Sequence, residues 1–288
     1  MLIQPAGIRP RIASAALLLT AVVAWAGCNS SRKADEAYRL GTAHLEEGEL
    51  DDAIAAFSTA IQVDPKHGRA YVGRGTAYRK KGNFDEALAD CNRAIELDPE
   101  DSAAYVGRGA VYADQEDLEK ALADYNEAIR LDPNRSDAFA CRAYVYLLRG
   151  VDEAVEDDLA KAFADCMEAI RLDPANAEGY FHRGLTHAAQ GDYDKAIADY
   201  DEAIRLDPDR SETHHNRGLA YAKKDDLDSA IVDFNTAIRV DPGNAAAYNS
   251  RGTAYKLKGD FSKATADLDK AREILENSRP APAANHQR

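Results

Sequence analysis

Apolar and polar positions alternate along this chain with a helical period, and the pattern recurs. Between Gly68 and Asp101, Tyr71, Gly75 and Tyr78 share one face at spacings of 4 and 3. Phe84, Ala87, Leu88, Cys91, Ala94 and Ile95 form a second such face. Lys81-Gly82-Asn83 lies between them: Gly82 suits the left-handed residue that closes a helix, and Asn83 with Asp85 offers caps to the next. Pro99 keeps Asp98 out of the α region, so the second helix ends there. The stretch reads as helix A, a tight turn, helix B and a proline-marked bend.

Asp-Pro pairs end at Pro65, Pro99, Pro133, Pro174, Pro208 and Pro242, at intervals of 34, 34, 41, 34 and 34 residues. A fixed period of this length signifies stacked units, none of which can bury its apolar face alone. Numbered within each unit, position 8 is Gly41, Gly75, Gly109, Ala143, Gly184, Gly218 and Gly252. Position 20 is Ala53, Ala87, Ala121, Ala162, Ala196, Ala230 and Ala264, and position 27 is Ala60, Ala94, Ala128, Ala169, Ala203, Ala237 and Ala271. Paired helices approach closely only where such positions lack bulk.

On these residues, with aromatic residues recurring at positions 4, 11 and 24, the chain resembles the tetratricopeptide repeat. It departs at Ala37 and His214 in position 4, at Cys91, Cys166 and Leu268 in position 24, and at Glu276 where the last proline belongs. The resemblance implies an all-α, right-handed superhelical solenoid of seven helix-turn-helix units: 34–67, 68–101, 102–135, 136–176, 177–210, 211–244 and 245–277. It also implies a concave groove, lined by positions 2, 5, 6, 9, 12 and 13 of helices A, that holds a peptide or protein partner. Carried onto this chain, the groove has a neutral row of Cys141, His182, Asn216 and Ser250. Tyr144, Phe181, Leu185, His215, Leu219, Asn249 and Thr253 flank it, and unit two adds Thr76 and a basic patch of Arg69, Arg79 and Lys80. Such a row suits hydrogen bonding and stacking on an extended peptide.

Comparison among the units reveals a coupling. Position 7 is arginine in six units (Arg74, Arg108, Arg142, Arg183, Arg217, Arg251), and position 23 is aspartate in the same six, whereas unit one has Leu40 and Ala56. Their joint loss predicts that helix A arginine and helix B aspartate pair across each hairpin, as scaffold. Unit four carries seven extra residues, Val151 to Asp157, and the stripe Val155, Leu159, Ala162, Phe163, Cys166, Ile170 stays in phase. This predicts one long helix from near Asp152 to Arg171 whose first two turns overhang the array.

At the start, Arg9 and Arg11 precede a nearly apolar run from Ile12 to Ala26, too short and wrongly flanked to span a membrane. Residues 1–27 read as a secretory signal. Ala26-Gly27-Cys28 resembles the bacterial lipobox, which implies lipidation of Cys28 and an envelope location, with Asn29 favouring the outer membrane. A cut near Ala26 that leaves a free thiol is the alternative. Residues 28–33 would form a polar tether, and the Pro/Ala-containing residues 278–288 a disordered tail.

Loss of Arg9 and Arg11 takes the net charge from -14 to -16, which argues against nucleic acid or anionic lipid as a partner. Cys91 and Cys166 fall in core position 24, and no CxxC spacing occurs, so neither a redox pair nor zinc is indicated. His187 and His214 replace packing aromatics, and no metal or other cofactor is expected. No nucleophile, base and oxyanion donor come together. The expected function is a non-enzymatic scaffold of the bacterial envelope, with possible self-association through the C-terminal repeat. A passive spacer or self-assembling structural lipoprotein is the alternative, and an enzyme accessory subunit a more distant one.

Overall fold

The computed structural model describes residues 31–152 and 156–277. The expected signal, Cys28, the tail, and Ala154 with Val155 lie outside the described residues. Those described are helical, with no strand among them. Seven hairpins follow one another: α1 (31–46) with α2 (Leu50–Val63), α3 (Gly68–Lys80) with α4 (Phe84–Leu97), and α5 (Ser102–Asp114) with α6 (Leu118–Leu131). They continue as α7 (Ser136–Asp152) with α8 (Glu156–Leu172), α9 (Ala177–Ala189) with α10 (Tyr193–Leu206), α11 (Ser211–Lys223) with α12 (Leu227–Val240), and α13 (Ala245–Leu257) with α14 (Phe261–Asn277). Residues 31–33, expected in the tether, form the first turn of α1. Arg32 and Lys33 are good helix formers, and nothing between them and Ala34 breaks the helix.

Two compact bodies divide within α6, the first ending at Lys120 and the second starting at Ala121. In the first, α3 packs on α2, α4 and α5. In the second, α8, α10 and α12 each pack on their own helix A and on the next one, α14 packs on α13, and α7, α9, α11 and α13 stand in a row, neighbour against neighbour.

The small positions are filled by rings. A Cβ added at Gly184 would lie 2.6 Å from the Tyr200 ring, and one at Gly218 would lie 2.7 Å from the Phe234 ring. Tyr200 and Phe234 are fully buried there, surrounded by Ala196, Ala203, Ala220, Ala230 and Ala254. Phe57, Tyr200 and Phe234 at position 24 therefore lie against a helix backbone that glycine leaves bare, and the burial of each is worth about 2 kcal/mol.

Turns and bends follow from local chemistry. Gly82 closes α3 with φ +80, while Glu116 and Asp225 hold the same left-handed place without glycine, at φ 62 and 65. Asn83 precedes α4 as expected, but its side chain makes no capping bond. At the bends Asp64, Asp98, Asp132, Asp173 and Asp241 each accept, through Oδ1, a hydrogen bond from the backbone N–H two residues on, at 2.8 to 3.0 Å. Aspartate before proline thus makes the turn as well as ending the helix.

The arginine–aspartate pairing is present. Arg74, Arg142, Arg217 and Arg251 each donate from Nε and Nη2 to the two carboxylate oxygens of Asp90, Asp165, Asp233 and Asp267, at 2.6 to 2.8 Å. Arg183 grips Asp199 similarly, at 2.6 to 3.1 Å. Burial pushes Asp233 up, but the hydrogen bonds and charges of Arg217 and His214 together outweigh it and hold the carboxyl below its usual range.

Unit four corrects the single-long-helix expectation. Helix α7 has 17 residues where α9, α11 and α13 have 13, and α8 has 17 where α10 and α12 have 14. Both legs have grown, so Asp152 closes α7 instead of opening α8. Three or four residues make about one helical turn, so a turn added to each antiparallel leg keeps both faces in phase. The added turns do not overhang bare. Asp158 is fully buried, paired with Arg149 and, at 2.8 Å, with Lys161. Arg149 lies seven residues after Arg142 and Asp158 seven before Asp165, so the clamp is repeated one step farther along the hairpin. The bond from Arg149 holds the Asp158 carboxyl below its ordinary value.

Candidate functional site

The helix-A face in the first body is less basic than expected. Arg69 and Lys80 are exposed, but Arg79 donates from Nη1 to Asp114 at 2.7 Å. Thr76 is half-buried, with its hydroxyl given to the Val72 carbonyl at 3.0 Å. The patch is thus reduced to two cations flanking a neutralised pair.

In the second body the wall formed by α7, α9, α11 and α13 is built from stacked side chains. Phe181 and His182, expected in the groove, are buried. His182 Nδ1 lies 3.0 Å from the Ala140 carbonyl, which can only accept, so Nδ1 carries the proton. Tyr144 stacks on that imidazole with centroids 5.1 Å apart, and Phe181 lies on its other flank at 5.5 Å. Over Phe181 sits the Arg210 guanidinium, 4.1 Å from the ring centroid and bonded to Glu178 at 2.7 Å. Burial pushes the His182 imidazole down to about 4, so it is neutral across the physiological range.

Neither Arg210 nor Glu178 stood out in the sequence. A signal was there, since Arg210 holds the N-cap place of α11, where Asn176 and Asn244 bond backbone N–H groups, and it makes no capping bond. A long cation where a cap belongs is free to lie across a ring.

The remaining polar residues are largely committed within the fold. His215 Nε2 meets the Ser250 hydroxyl at 2.9 Å, and Asn216 donates Nδ2–H to the Glu212 carbonyl at 2.8 Å. Thr253 donates to the Asn249 carbonyl at 2.9 Å. Burial lowers the His215 pKa as well. Left facing outward are the ring of Tyr144, 38 % exposed, and the side chain of Leu219, 36 % exposed, with half-buried Leu185 on the helix between them. Cys141 is half-buried beside them, while Asn249 and Thr253 are exposed farther along on α13. The wall therefore offers an apolar strip where a hydrogen-bonding row was expected, and it suits apolar side chains of a partner.

Cys91 and Cys166 are buried thiols outside any disulfide, and burial pushes the Cys166 thiol up to about 12, an inert state. His214 donates from Nε2 to the Pro208 carbonyl at 3.1 Å, as Tyr71 and Tyr105 do to Pro65 and Pro99, so it stands in for a packing tyrosine. Among the described residues, His44, Glu47 and Glu49 at the turn of unit one bring potential metal ligands within 4.8 Å of one another. The His44–Glu49 hydrogen bond of 2.6 Å accounts for that cluster as a turn. No helix among the described residues is long and apolar enough to cross a membrane.

Family models described as tetratricopeptide repeats match residues 38–102, 75–136, 166–198 and 211–244, and a model described as a TPR repeat matches 187–225. No curated protein matches the sequence. Among solved structures, a tetratricopeptide repeat protein from Parabacteroides merdae ATCC 43184 is similar at 19% identity and TM-score 0.59, over 86% of this chain and 95% of its own. A thermophilic TPR protein of Thermus thermophilus, TTC0263, is similar at 22% identity and TM-score 0.59, over 66% of this chain and 99% of its own. The APC/C hetero-tetramer Cut9-Hcn1 is similar at 19% identity and TM-score 0.70, over 83% of this chain and 46% of that one. At these identities the likeness shows the fold.

Proposed function

The chain belongs to the tetratricopeptide-repeat proteins, and we propose that it is a non-enzymatic scaffold that holds an extended polypeptide partner against helices α7, α9 and α11. The observation that carries this reading is the outward-facing strip of Tyr144, Leu185 and Leu219 on adjacent helices of the row. Tyr144 and Leu219 each present over a third of their surface to water, on a wall backed by the stacked layer of His182, Phe181 and Arg210. A preorganised apolar surface loses little entropy when it binds. Glu178 and Glu212 share the single cation Arg210, and the one net negative charge that remains favours a partner segment with basic residues beside its apolar ones.

The scaffold works, on this reading, in the bacterial envelope. Residues 1–27 serve as an export signal, Cys28 carries a lipid anchor, and the acidic array stays clear of nucleic acid and anionic headgroups. Capture from detergent-solubilised envelope tests the binding reading. The intact chain retains a partner that Tyr144→Glu combined with Leu219→Glu releases, and identical capture by both would refute it. Incorporation of an alkyne-tagged fatty acid, abolished by Cys28→Ser, tests the anchor separately.

A further inference from the structure

A second surface lies outside the helix-A wall, on the last helix. At the junctions between units, the position-7 arginine uses its remaining Nη1–H to reach position 25 of the preceding helix B. Arg74 bonds Ser58 at 3.0 Å, Arg108 bonds Asn92 at 2.7 Å, and Arg142, Arg217 and Arg251 bond Asn126, Asp201 and Asn235 at 2.6 Å. Arg183 meets the Met167 sulfur at 3.0 Å. On α14 that acceptor is Asp269, which is exposed and touched by Arg272 of its own helix at 3.2 Å.

The apolar surroundings of this acceptor are also open. Phe261, at position 17, is 65 % exposed, whereas Leu50, Phe84, Leu118, Leu159, Tyr193 and Leu227 at the same position are half-buried. Leu257, at the end of α13, is exposed too, as is Leu275 near the far end of α14. Position 28, isoleucine in the first six units, is Arg272 here. Inside the array position 28 meets position 3 of the next helix A, as Ile170 meets Gly179, where an added Cβ would lie 3.0 Å away.

We propose that this face of α14 docks an amphipathic helix of a protein partner that carries an arginine with an acidic residue four positions before it. The arginine bonds Asp269 as its counterparts bond position 25, the acidic residue meets Arg272, and the apolar face covers Phe261 and Leu257. The surface continues the stacking interface of the array itself. A second copy stacked head to tail would offer Glu36 of α1 to Arg272 but bring Leu40 to the place of the arginine, so Asp269 would gain no partner from it. Residues 278–288 supply no acid and no large apolar side chain, and two prolines interrupt them.

The test uses the full chain and a labelled synthetic peptide of α13 carrying Ala247→Glu, read by fluorescence anisotropy. Saturable binding is expected, weakened roughly tenfold or more by Arg251→Leu in the peptide or Asp269→Leu in the chain. Asp269→Asn should preserve it, because asparagine is the acceptor for Arg108, Arg142 and Arg251. Arg272→Glu should shift the preference to a peptide with Ala247→Lys. Absence of binding up to about 1 mM peptide, or binding indifferent to Asp269→Leu, would overturn the proposal. So would sedimentation of the chain alone as a dimer that Phe261→Asp dissociates, since the face would then belong to a second copy.

Discussion

Gly184→Ala offers a sharp test of how the units pack, because two effects of opposite sign compete at that position. In a helix interior, alanine is favoured over glycine by about 0.5–1 kcal/mol. Against this, the new Cβ would lie 2.6 and 2.8 Å from two carbons of the buried Tyr200 ring, and that ring has no space to retreat into. Overpacking of this kind costs about 1–3 kcal/mol, so the net effect should be a loss of about 1–2 kcal/mol. Unit four shows the compensated form, since Ala143 at the same position faces Cys166 in place of a ring, and both are buried. In a Tyr200→Cys background, which is itself destabilised by the lost ring, Gly184→Ala should therefore stabilise by about 0.5–1 kcal/mol. Urea unfolding followed by far-ultraviolet circular dichroism for the four variants gives the coupling directly, expected near 2 kcal/mol. If Gly184→Ala stabilises equally in both backgrounds, the ring does not lie over this glycine and the packing argument fails.

Asp199→Ala leaves Arg183 as a partly buried cation without its partner, so stability should fall by about 3 kcal/mol, and unchanged unfolding would dismiss the clamp. Glu116→Gly and Asp225→Gly remove side chains from left-handed turns at φ 62 and 65, and each should raise the urea midpoint by an amount equivalent to about 1 kcal/mol. His182 is neutral in the fold, with its pKa near 4, whereas an unfolded histidine titrates near 6.5. Its contribution is complete above pH about 6.5 and is lost as pH falls through about 4, amounting to about 3 kcal/mol. Between those limits the wild type should lose that much more stability than His182→Gln, and parallel pH profiles would exclude the assignment.

Most of the framework was legible because it repeats. The helices follow from the 3.6-residue period, the crossings from Gly and Ala at fixed positions, and the clamp from the joint absence of arginine and aspartate in unit one. Unit four misled for a physical reason. Seven residues add two turns to one helix or one turn to each of two antiparallel legs, and both keep the apolar stripe in phase. The wall was harder to read. Position numbers place Phe181 and His182 on it, but both are buried, His182 against Tyr144 and Phe181 beneath Arg210, a residue of the following bend whose reach across a ring no periodicity encodes. Arg79 likewise reads as a free cation in the sequence, whereas its partner Asp114 lies 35 residues on, at a distance no local pattern marks.

The binding wall itself is best tested by site-specific photocross-linking in cells that express the chain, with benzoylphenylalanine placed at Leu219 or, as a control, at Val232 on α12, which is 63 % exposed. A discrete polypeptide adduct is expected from position 219 and none from position 232. Equal adducts from both positions, or none from 219, would contradict the scaffold reading.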